Sequence, residues 1–193
     1  MKKNILIYYY NYYQAYFLKG KVIALDEIDK IILNTLQENG RTTNSKLSTM
    51  VGISAPATLE RVKRLENLGV ISSFTVLVDH EKIGYTITAF VNITLNLSDL
   101  SSVKDIKEKF IALDEVIECY QITGGNDFIL KVIGKDMRHY SEFINEKLTQ
   151  IKGIQSMNSS FIIDKVKEKK KFLFDTEKSY EFLKKKKNKI KRK

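Results

Sequence analysis

The sequence contains one cysteine, one proline and no tryptophan among its 193 residues. Because the single thiol, Cys119, has no partner within the chain, an internal disulfide is excluded, and with it a secreted scaffold that depends on such bonds. A chain with this cysteine content suits a reducing compartment, so we predict a cytoplasmic location.

Long hydrophobic runs are also lacking. Residues 4–18 carry no charge, but this stretch of 15 residues includes several tyrosines and polar side chains. A membrane-spanning helix requires about 20 apolar residues, tyrosine favours the membrane interface, and no small-residue cleavage site follows. We therefore predict no spanning helix, no signal peptide and no membrane partner, with interfacial attachment as the alternative. Since patterned sequence begins only at Leu25, residues 1–24 are expected to be a disordered extension or the result of a start codon assigned too early.

Residue patterns for metal or phosphate chemistry are equally scarce. Cys119 stands alone, and neither His80 nor His139 has a second histidine nearby in the sequence. No glycine-rich loop opens a helix. We therefore predict no metal site and no cofactor.

The chain does contain enough apolar residues, 43% of the total, to bury the core of one large domain or two small ones. Its formal net charge of +10 favours a polyanionic partner. Residues 165–193 hold 14 Lys/Arg and 4 Asp/Glu, whereas residues 1–164 hold 19 of each sign. Such dense like charge is typical of a solvated, mobile arm, so residues 167–193 are assigned to a Lys-rich tail that is still able to hold a polyanion.

Residues 25–69 have the periodicity of three short helices. The first follows an acidic turn and ends at Asn39-Gly40, and the second covers about residues 44–51 and ends at Gly52. The third begins after Ser54, a typical N-cap, and reaches about Leu68. Two short helices joined by a glycine-containing turn and covered by a third predict a helix-turn-helix unit.

The third helix has an apolar face, predicted from Leu59, Val62 and Leu65, and a polar face that could enter a major groove. On that groove-facing side, small residues permit close approach and guanidinium groups bind guanine edges or phosphates. The alternative is an ordinary amphipathic helix with a solvated basic face. On the first interpretation the DNA-binding residues are Arg41, Thr43, Ser54, Ala57, Thr58, Arg61, Lys63 and Arg64.

Apolar and polar residues alternate over residues 70–79, which predicts a strand or a small wing. The later patterns predict strands at 86–95, 116–122, 128–133 and 154–163 and helices at 101–113 and 137–150. Helices on one face of a four-stranded antiparallel sheet form a ferredoxin-like βαββαβ domain. The predicted fold class is therefore α+β, with a winged helix-turn-helix at residues 25–79 and a ferredoxin-like domain at residues 80–166.

Residues 25–79 closely resemble the N-terminal half of the Lrp/AsnC, or feast/famine, transcription regulators. The shared features are a Leu-Asp-x-x-Asp-x-x-Ile-Leu opening at residues 25–33, an Asn-Gly-Arg turn at 39–41, and Arg-Val-x-Arg-Leu-Glu-x-x-Gly-Val-Ile at 61–71. Glu60-Arg61 departs from the adjacent arginines of many members. The resemblance implies a sequence-specific DNA-binding transcription regulator whose second domain, a RAM domain similar in fold to the ACT domain, responds to a small effector such as an amino acid.

The sequence TGGNDF at residues 123–128 is a candidate ligand loop. Its adjacent glycines expose amides that bind a carboxylate, and a nearby carboxylate accepts bonds from an ammonium group. The alternative is a hairpin turn in which the glycines adopt positive φ and the aspartate caps the next strand. In the family this loop contributes to the effector pocket between dimers. The resemblance therefore implies effector binding by Thr123, Gly124, Gly125, Asn126 and Asp127.

The resemblance also implies two partners, double-stranded DNA and further copies of the chain. Dimers are expected to form through the C-terminal sheets and to associate to a tetramer or octamer. A non-specific architectural, nucleoid-type DNA-binding protein is one alternative, favoured by the basic tail. A sirohaem-decarboxylase-like enzyme is another, since some such enzymes share the two-domain architecture. Because the histidines are isolated and no arginine cluster is present, we predict that the protein is not an enzyme.

Overall fold

The computed structural model describes residues 22–96, 103–168 and 171–176. The first of two compact units contains residues 22–76 and 171–176, and the second contains residues 77–96 and 103–168. Most of the predicted N-terminal extension, and the predicted tail after residue 176, lie outside the described residues. Within the described ranges, no helix has both the length and the apolar character that crossing a bilayer requires.

Three helices form the first unit, as the sequence predicts: α1 (Glu27–Glu38), α2 (Asn44–Val51) and α3 (Ala55–Asn67). Each helix has an apolar stripe that must be buried, and the three stripes enclose a single core with Ile32 and Leu65 fully buried within it. This core fixes α3 against α1.

Each of these helices begins at a side-chain cap. The side chains of Asp26, Thr43 and Ser54 accept hydrogen bonds from the backbone N–H three residues later, at 2.8, 3.3 and 3.3 Å. A cap of this kind stabilises a helix by about 1 kcal/mol. At the end of α2, Gly52 adopts φ +76°, a left-handed conformation that favours glycine. The two hydroxyls predicted to bind DNA, those of Thr43 and Ser54, are thus used as helix caps.

Of the two alternatives predicted for residues 70–79, a strand or a small wing, the strand is not formed. Alternation of side chains indicates which residues share a face, but a strand also requires a neighbour to pair with its backbone groups. The described residues supply no such neighbour. Several apolar side chains of the segment are exposed, among them Val76, Leu77 and Val78.

The second unit is a four-stranded antiparallel sheet. Its strands are β1 (Ile87–Leu95), β2 (Val116–Gln121), β3 (Phe128–Gly134) and β4 (Ile154–Phe161). Their order across the sheet is β2-β3-β1-β4, so β1 pairs with both β3 and β4. This order confirms the predicted ferredoxin-like arrangement.

Two helical segments connect the strands of this sheet. α4 (Val103–Ile111) lies between β1 and β2, and α5 (Met137–Glu142) lies between β3 and β4. α5 continues directly into a π-helical segment, Phe143–Leu148, where a regular α-helix was expected. The connections preserve the predicted βαββαβ order.

The helices of the second unit cover one face of its sheet. Phe110 and Phe128 lie in the core between them, with their rings edge to face and 5.4 Å between centroids. The other face retains exposed aromatic side chains, those of Phe90 and Tyr120. An antiparallel sheet can leave one face in water, but exposed aromatic side chains on that face favour an interaction with a further surface.

Residues 171–176 belong to the first unit and lie against α1. Phe174 packs against the helical core, and its backbone is hydrogen-bonded to Asn34. The prediction of a mobile arm is therefore wrong for these residues. Charge density alone favours solvation, but here aromatic burial and paired peptide groups offset the entropy lost on ordering.

Candidate nucleic-acid interface and ligand loop

The inner face of α3 is formed by Thr58, Val62 and Leu65, all of which are buried. The Oγ1 of Thr58 donates to the carbonyl of Ser54 at 3.0 Å. Thr58 was predicted on the DNA-facing side, and this prediction is wrong because the residue is fully buried. Tertiary packing decides which residues of α3 are buried, and here it buries Thr58 in preference to the more hydrophobic Leu59. Leu59, predicted on the inner face, is instead 40% exposed.

The outward face of α3 lies opposite these buried residues. At about 100° per residue, the positions opposite the buried stripe form one continuous strip of surface. Its exposed members are Pro56, Glu60, Lys63, Arg64 and Asn67, and Leu59 lies at its edge. Of the predicted DNA-binding residues, Lys63 and Arg64 lie on this strip, whereas Arg61 and Ala57 are only part-exposed at its flank.

Arg61 and Arg64 form a network of ion pairs with α1 and its cap. Arg61 Nη1 lies 2.6 Å from Asp26 Oδ2 and 3.0 Å from Asp29 Oδ1. Arg64 Nη2 lies 2.5 Å from Asp29 Oδ2. Because Asp29 is only 1% exposed, its carboxylate depends on these two guanidinium groups for compensation. The arginines therefore fix the position of α3 on α1.

The electrostatics of the network follow from the same contacts. Burial by itself would raise the pKa of Asp26, but the Asp29 amide and the Arg61 guanidinium outweigh it, so the pKa is lowered from its ordinary value. The hydrogen bond to Asp26 raises the pKa of Arg61. Both shifts favour the charged forms that make up the ion pair.

A shallow cleft of about 380 Å³ lies where the start of α1 meets α3. Carboxylates and guanidinium groups line it together with the methyl groups of Ala24 and Ala57. Arg41, another predicted DNA-binding residue, lies in the turn between α1 and α2 and is exposed, with its backbone N–H bonded to Asn39 Oδ1 at 3.0 Å. Of the predicted basic residues, Arg61 and Arg64 are paired with carboxylates, and Arg41, Lys63 and Arg64 are exposed.

The loop between β2 and β3 contains the five predicted effector-binding residues. Residues 123–125 are exposed, and Gly124 has φ +126°, a conformation that favours glycine. Gly125 does not have a positive φ. The hairpin interpretation, which assigns positive φ to both glycines, is therefore met at Gly124 only.

Asp127 ties this loop to the end of β1. Its Oδ2 accepts a hydrogen bond from Leu95 N–H at 2.8 Å, and its own N–H donates to Ile93 O at 2.8 Å. Asn126 Oδ1 adds a bond from Thr94 Oγ1 at 3.3 Å. The carboxylate thus caps the strand beside the loop, β1, and not the strand that follows the loop.

Metal-binding groups are not clustered in the part of the chain that the structure describes. No three His, Cys, Asp or Glu side chains come together there in a way that could hold an ion.

Family models match both units. A model described as winged helix-turn-helix DNA-binding matches residues 25–72, and one described as the Lrp/AsnC ligand binding domain matches residues 88–172. The transcriptional regulator AzlB of Bacillus subtilis (strain 168) is 38% identical over 141 residues, which are 73% of this chain and 90% of that protein. This chain belongs to the Lrp/AsnC family of transcriptional regulators.

Further relatives of this Lrp/AsnC regulator agree with the assignment. The leucine-responsive regulatory protein of Escherichia coli (strain K12) is 34% identical, covering 79% of this chain and 93% of that protein. A crystal structure of a Neisseria meningitidis transcriptional regulator in complex with L-Met has a TM-score of 0.73 and 31% identity, covering 77% of this chain and 96% of that one. E. coli AsnC has a TM-score of 0.72 at 25% identity, covering 77% and 99%. The chain is thus a DNA-binding transcriptional regulator with the predicted fold class.

Sequence reasoning missed one part of the DNA-binding unit of this Lrp/AsnC regulator, the carboxylate network that holds α3. Asp26 and Asp29 appear in the sequence as an acidic first helical turn, which is common at any helix N-terminus. A signal for this network was present in the sequence. Arg61 and Arg64 are three positions apart and so lie on one side of α3, and Asp26 and Asp29 are also three positions apart at the start of α1.

Proposed function

We propose that this Lrp/AsnC regulator selects specific DNA sites with the outward face of α3 and that a small effector, an amino acid, tunes its binding. The observation that carries the proposal is the exposed strip of α3, which has Lys63 near its middle and Leu59 and Glu60 beside it. An exposed helix face of this kind fits a major groove. Leu59 would contact a thymine methyl, Glu60 would accept from a cytosine amino group, and Lys63 would bind a guanine edge or a phosphate.

The remaining predicted DNA-binding residues take different roles in this proposal. Arg41 contacts phosphate from the turn before α2. The caps formed by Thr43 and Ser54 orient the starts of α2 and α3 toward the backbone of the DNA, where free N–H groups favour anions. Arg61 and Arg64 act mainly by holding α3, and their remaining N–H groups are available to phosphate.

Dimerisation follows from the open face of the sheet in the second unit. Phe90 and Tyr120 leave aromatic surface on that face, which a second copy of the chain would cover. A two-fold dimer presents two copies of α3 to successive major grooves about 34 Å apart. Dimers would then associate further, to a tetramer or octamer.

Effector binding is assigned to the loop of residues 123–127. The exposed amides of Gly124 and Gly125 suit a carboxylate, and Asp127 suits an ammonium group. The structural relative from Neisseria meningitidis contains L-Met. An amino acid that binds one assembly or DNA-binding state more tightly than another would shift the regulator between them.

Competition at fixed salt tests the proposed sequence specificity. We expect a DNA site selected from a random pool to bind at least about 10³-fold more tightly than random DNA of the same length. Fluorescence anisotropy with labelled site and unlabelled competitor measures this ratio. A ratio near one would instead support an architectural DNA-binding protein, for which the Lys-rich tail is the favouring feature.

Asp127→Asn should abolish the response to the effector while DNA binding without effector is unchanged. The amide retains an oxygen that accepts from Leu95 N–H, but it loses the charge that an ammonium group requires. Thermal shift with L-Met, and then with each of the other common amino acids, measures the response.

The matched control for Asp127→Asn is Asp136→Asn, which removes the same charge in the same unit. Asp136 also accepts a backbone hydrogen bond, from His139 N–H at 2.7 Å. We expect the control to keep the full thermal shift. A shift of native size in Asp127→Asn would remove Asp127 from the site, and no shift of the unaltered chain with any amino acid would refute the effector proposal.

A further inference from the structure

Two side-chain amides on α1 hold residues 171–176 by their backbone. Asn34 Nδ2 donates to Phe174 O and Asn34 Oδ1 accepts from Phe174 N–H, both at 2.9 Å. Gln37 Nε2 donates to Phe172 O at 2.7 Å, and Gln37 Oε1 accepts from Phe172 N–H at 2.8 Å. We call Asn34 and Gln37 the amide clamp.

The geometry of the amide clamp matches an extended chain. Each primary amide offers a donor and an acceptor side by side, as a neighbouring strand would, so one side chain satisfies both polar groups of one residue. The two held residues are two positions apart, the repeat at which successive residues of an extended chain face the same side. The clamp residues are three positions apart on α1, which places them on one helix face.

Side-chain contacts add to the backbone pairing. The rings of Phe172 and Phe174 meet edge to face with 5.2 Å between centroids, and Phe174 also packs against the helical core. Lys171 Nζ lies 2.8 Å from Glu38 Oε2, at the end of α1. Backbone pairing, aromatic packing and an ion pair therefore all join this segment to the DNA-binding unit.

The position of the held segment determines where the remaining charge of the chain begins. Residues 177–193 follow it directly and contain nine Lys/Arg and two Asp/Glu. An extended chain of 17 residues reaches up to about 55–60 Å, so a fixed start on the first unit keeps these cations within range of DNA bound by α3. Fixing one end raises the effective concentration of the other near its partner.

We propose that the amide clamp docks residues 171–176 on α1 so that the Lys-rich residues 177–193 bind phosphates beside the site contacted by α3. The clamp is thus an interaction surface of the DNA-binding unit for the C-terminal segment of the chain. The inference rests on the proposed function, because it requires DNA to be bound through α3.

A double variant, Asn34→Ala with Gln37→Ala, tests the proposal in the full-length chain. Alanine favours a helix more than either amide does, so α1 is retained. We expect the Phe172 and Phe174 amides to lose protection from hydrogen exchange and DNA affinity at low salt to fall about 10-fold. The slope of log K against log salt should become less negative by about 0.9 for each phosphate that the variant no longer binds.

Deletion of residues 177–193 completes the test as a double-mutant cycle. If the clamp acts through the Lys-rich segment, the double variant weakens DNA binding in the full chain and has no further effect once that segment is deleted. An equal loss with and without residues 177–193 would overturn the proposal, as would a double variant with unchanged affinity and salt slope.

Thr35→Ala serves as the matched control for the clamp. Thr35 lies on α1 between the clamp residues, and its Oγ1 donates to Ile31 O of its own helix at 2.8 Å. We expect this variant to keep both amide protection and salt slope. Failure of the proposed function is distinguishable, because it would remove the preference for a selected site over random DNA in the unaltered chain.

Discussion

Asp29→Ala is expected to lower the free energy of unfolding of the DNA-binding unit by about 2–3 kcal/mol. Removing one partner of a buried ion pair typically costs about 3–5 kcal/mol. We expect a smaller loss here because the side chains of Arg61 and Arg64 are 30% and 45% exposed, so water solvates part of the charge that is left behind. The substitution also removes a hydrogen bond to the Asp26 N–H at 3.3 Å, one half of the capping box of α1. Hydrogen exchange of the α1 and α3 amides in the full-length chain measures the loss.

Two further variants separate charge from shape at this position. Asp29→Asn keeps the size of the side chain and loses its charge, so we expect it to retain most of the destabilisation. Glu60→Ala removes one negative charge from the exposed face of α3, where a change of less than about 0.5 kcal/mol is expected. Equal stability of Asp29→Ala and Glu60→Ala would show that the network does not hold α3.

Lys63→Glu is expected to weaken DNA binding about 100-fold, or ~2.7 kcal/mol, while leaving the fold intact. Lys63 is exposed on the outward strip of α3, and Glu60 lies one helical turn before it. Reversal of the charge therefore places two carboxylates side by side against the phosphates. Fluorescence anisotropy on the selected site and on random DNA measures the loss. An equal loss on both assigns Lys63 to phosphate, and a larger loss on the selected site assigns it to a base.

Lys104→Glu provides the control for net charge. Lys104 is on α4 of the second unit with 84% of its side chain exposed, and its reversal changes the total charge by the same amount. We expect less than a twofold effect on DNA binding. Comparable losses for the two variants would indicate that overall charge governs affinity and that the outward strip of α3 does not.

Local signals were sufficient to predict most elements of the fold. Ser54 and Gly52 mark helix ends through capping and positive φ, which depend only on neighbouring residues. The strands around Phe128 are also predictable, because alternation and turn residues delimit them. Errors arose where the outcome depends on distant partners. Residues 70–79 alternate as a strand does but have no paired neighbour among the described residues.

The candidate sites were predictable to a smaller extent. Hydrophobicity assigned Leu59 to the core of α3, but the buried position is Thr58, whose hydroxyl is satisfied within the helix. The pairing of Arg61 with Asp29 spans 32 positions, so the spacing of the arginines indicates a charged helix face but does not identify its partner. For the loop ending at Asp127, sequence left two interpretations. The bond to Leu95 N–H demonstrates the structural role, and the ligand role remains a prediction.

The amide clamp has a consequence for the order in which the protein is made. Its hydrogen bonds join residues 135 to 140 positions apart, so they close only after the whole second unit has been synthesised. Domains generally fold as they leave the ribosome, the N-terminal one first. The three helices therefore emerge and pack before residues 171–176 exist. Until translation reaches those residues, the backbone groups that pair with Asn34 and Gln37 have not yet been made.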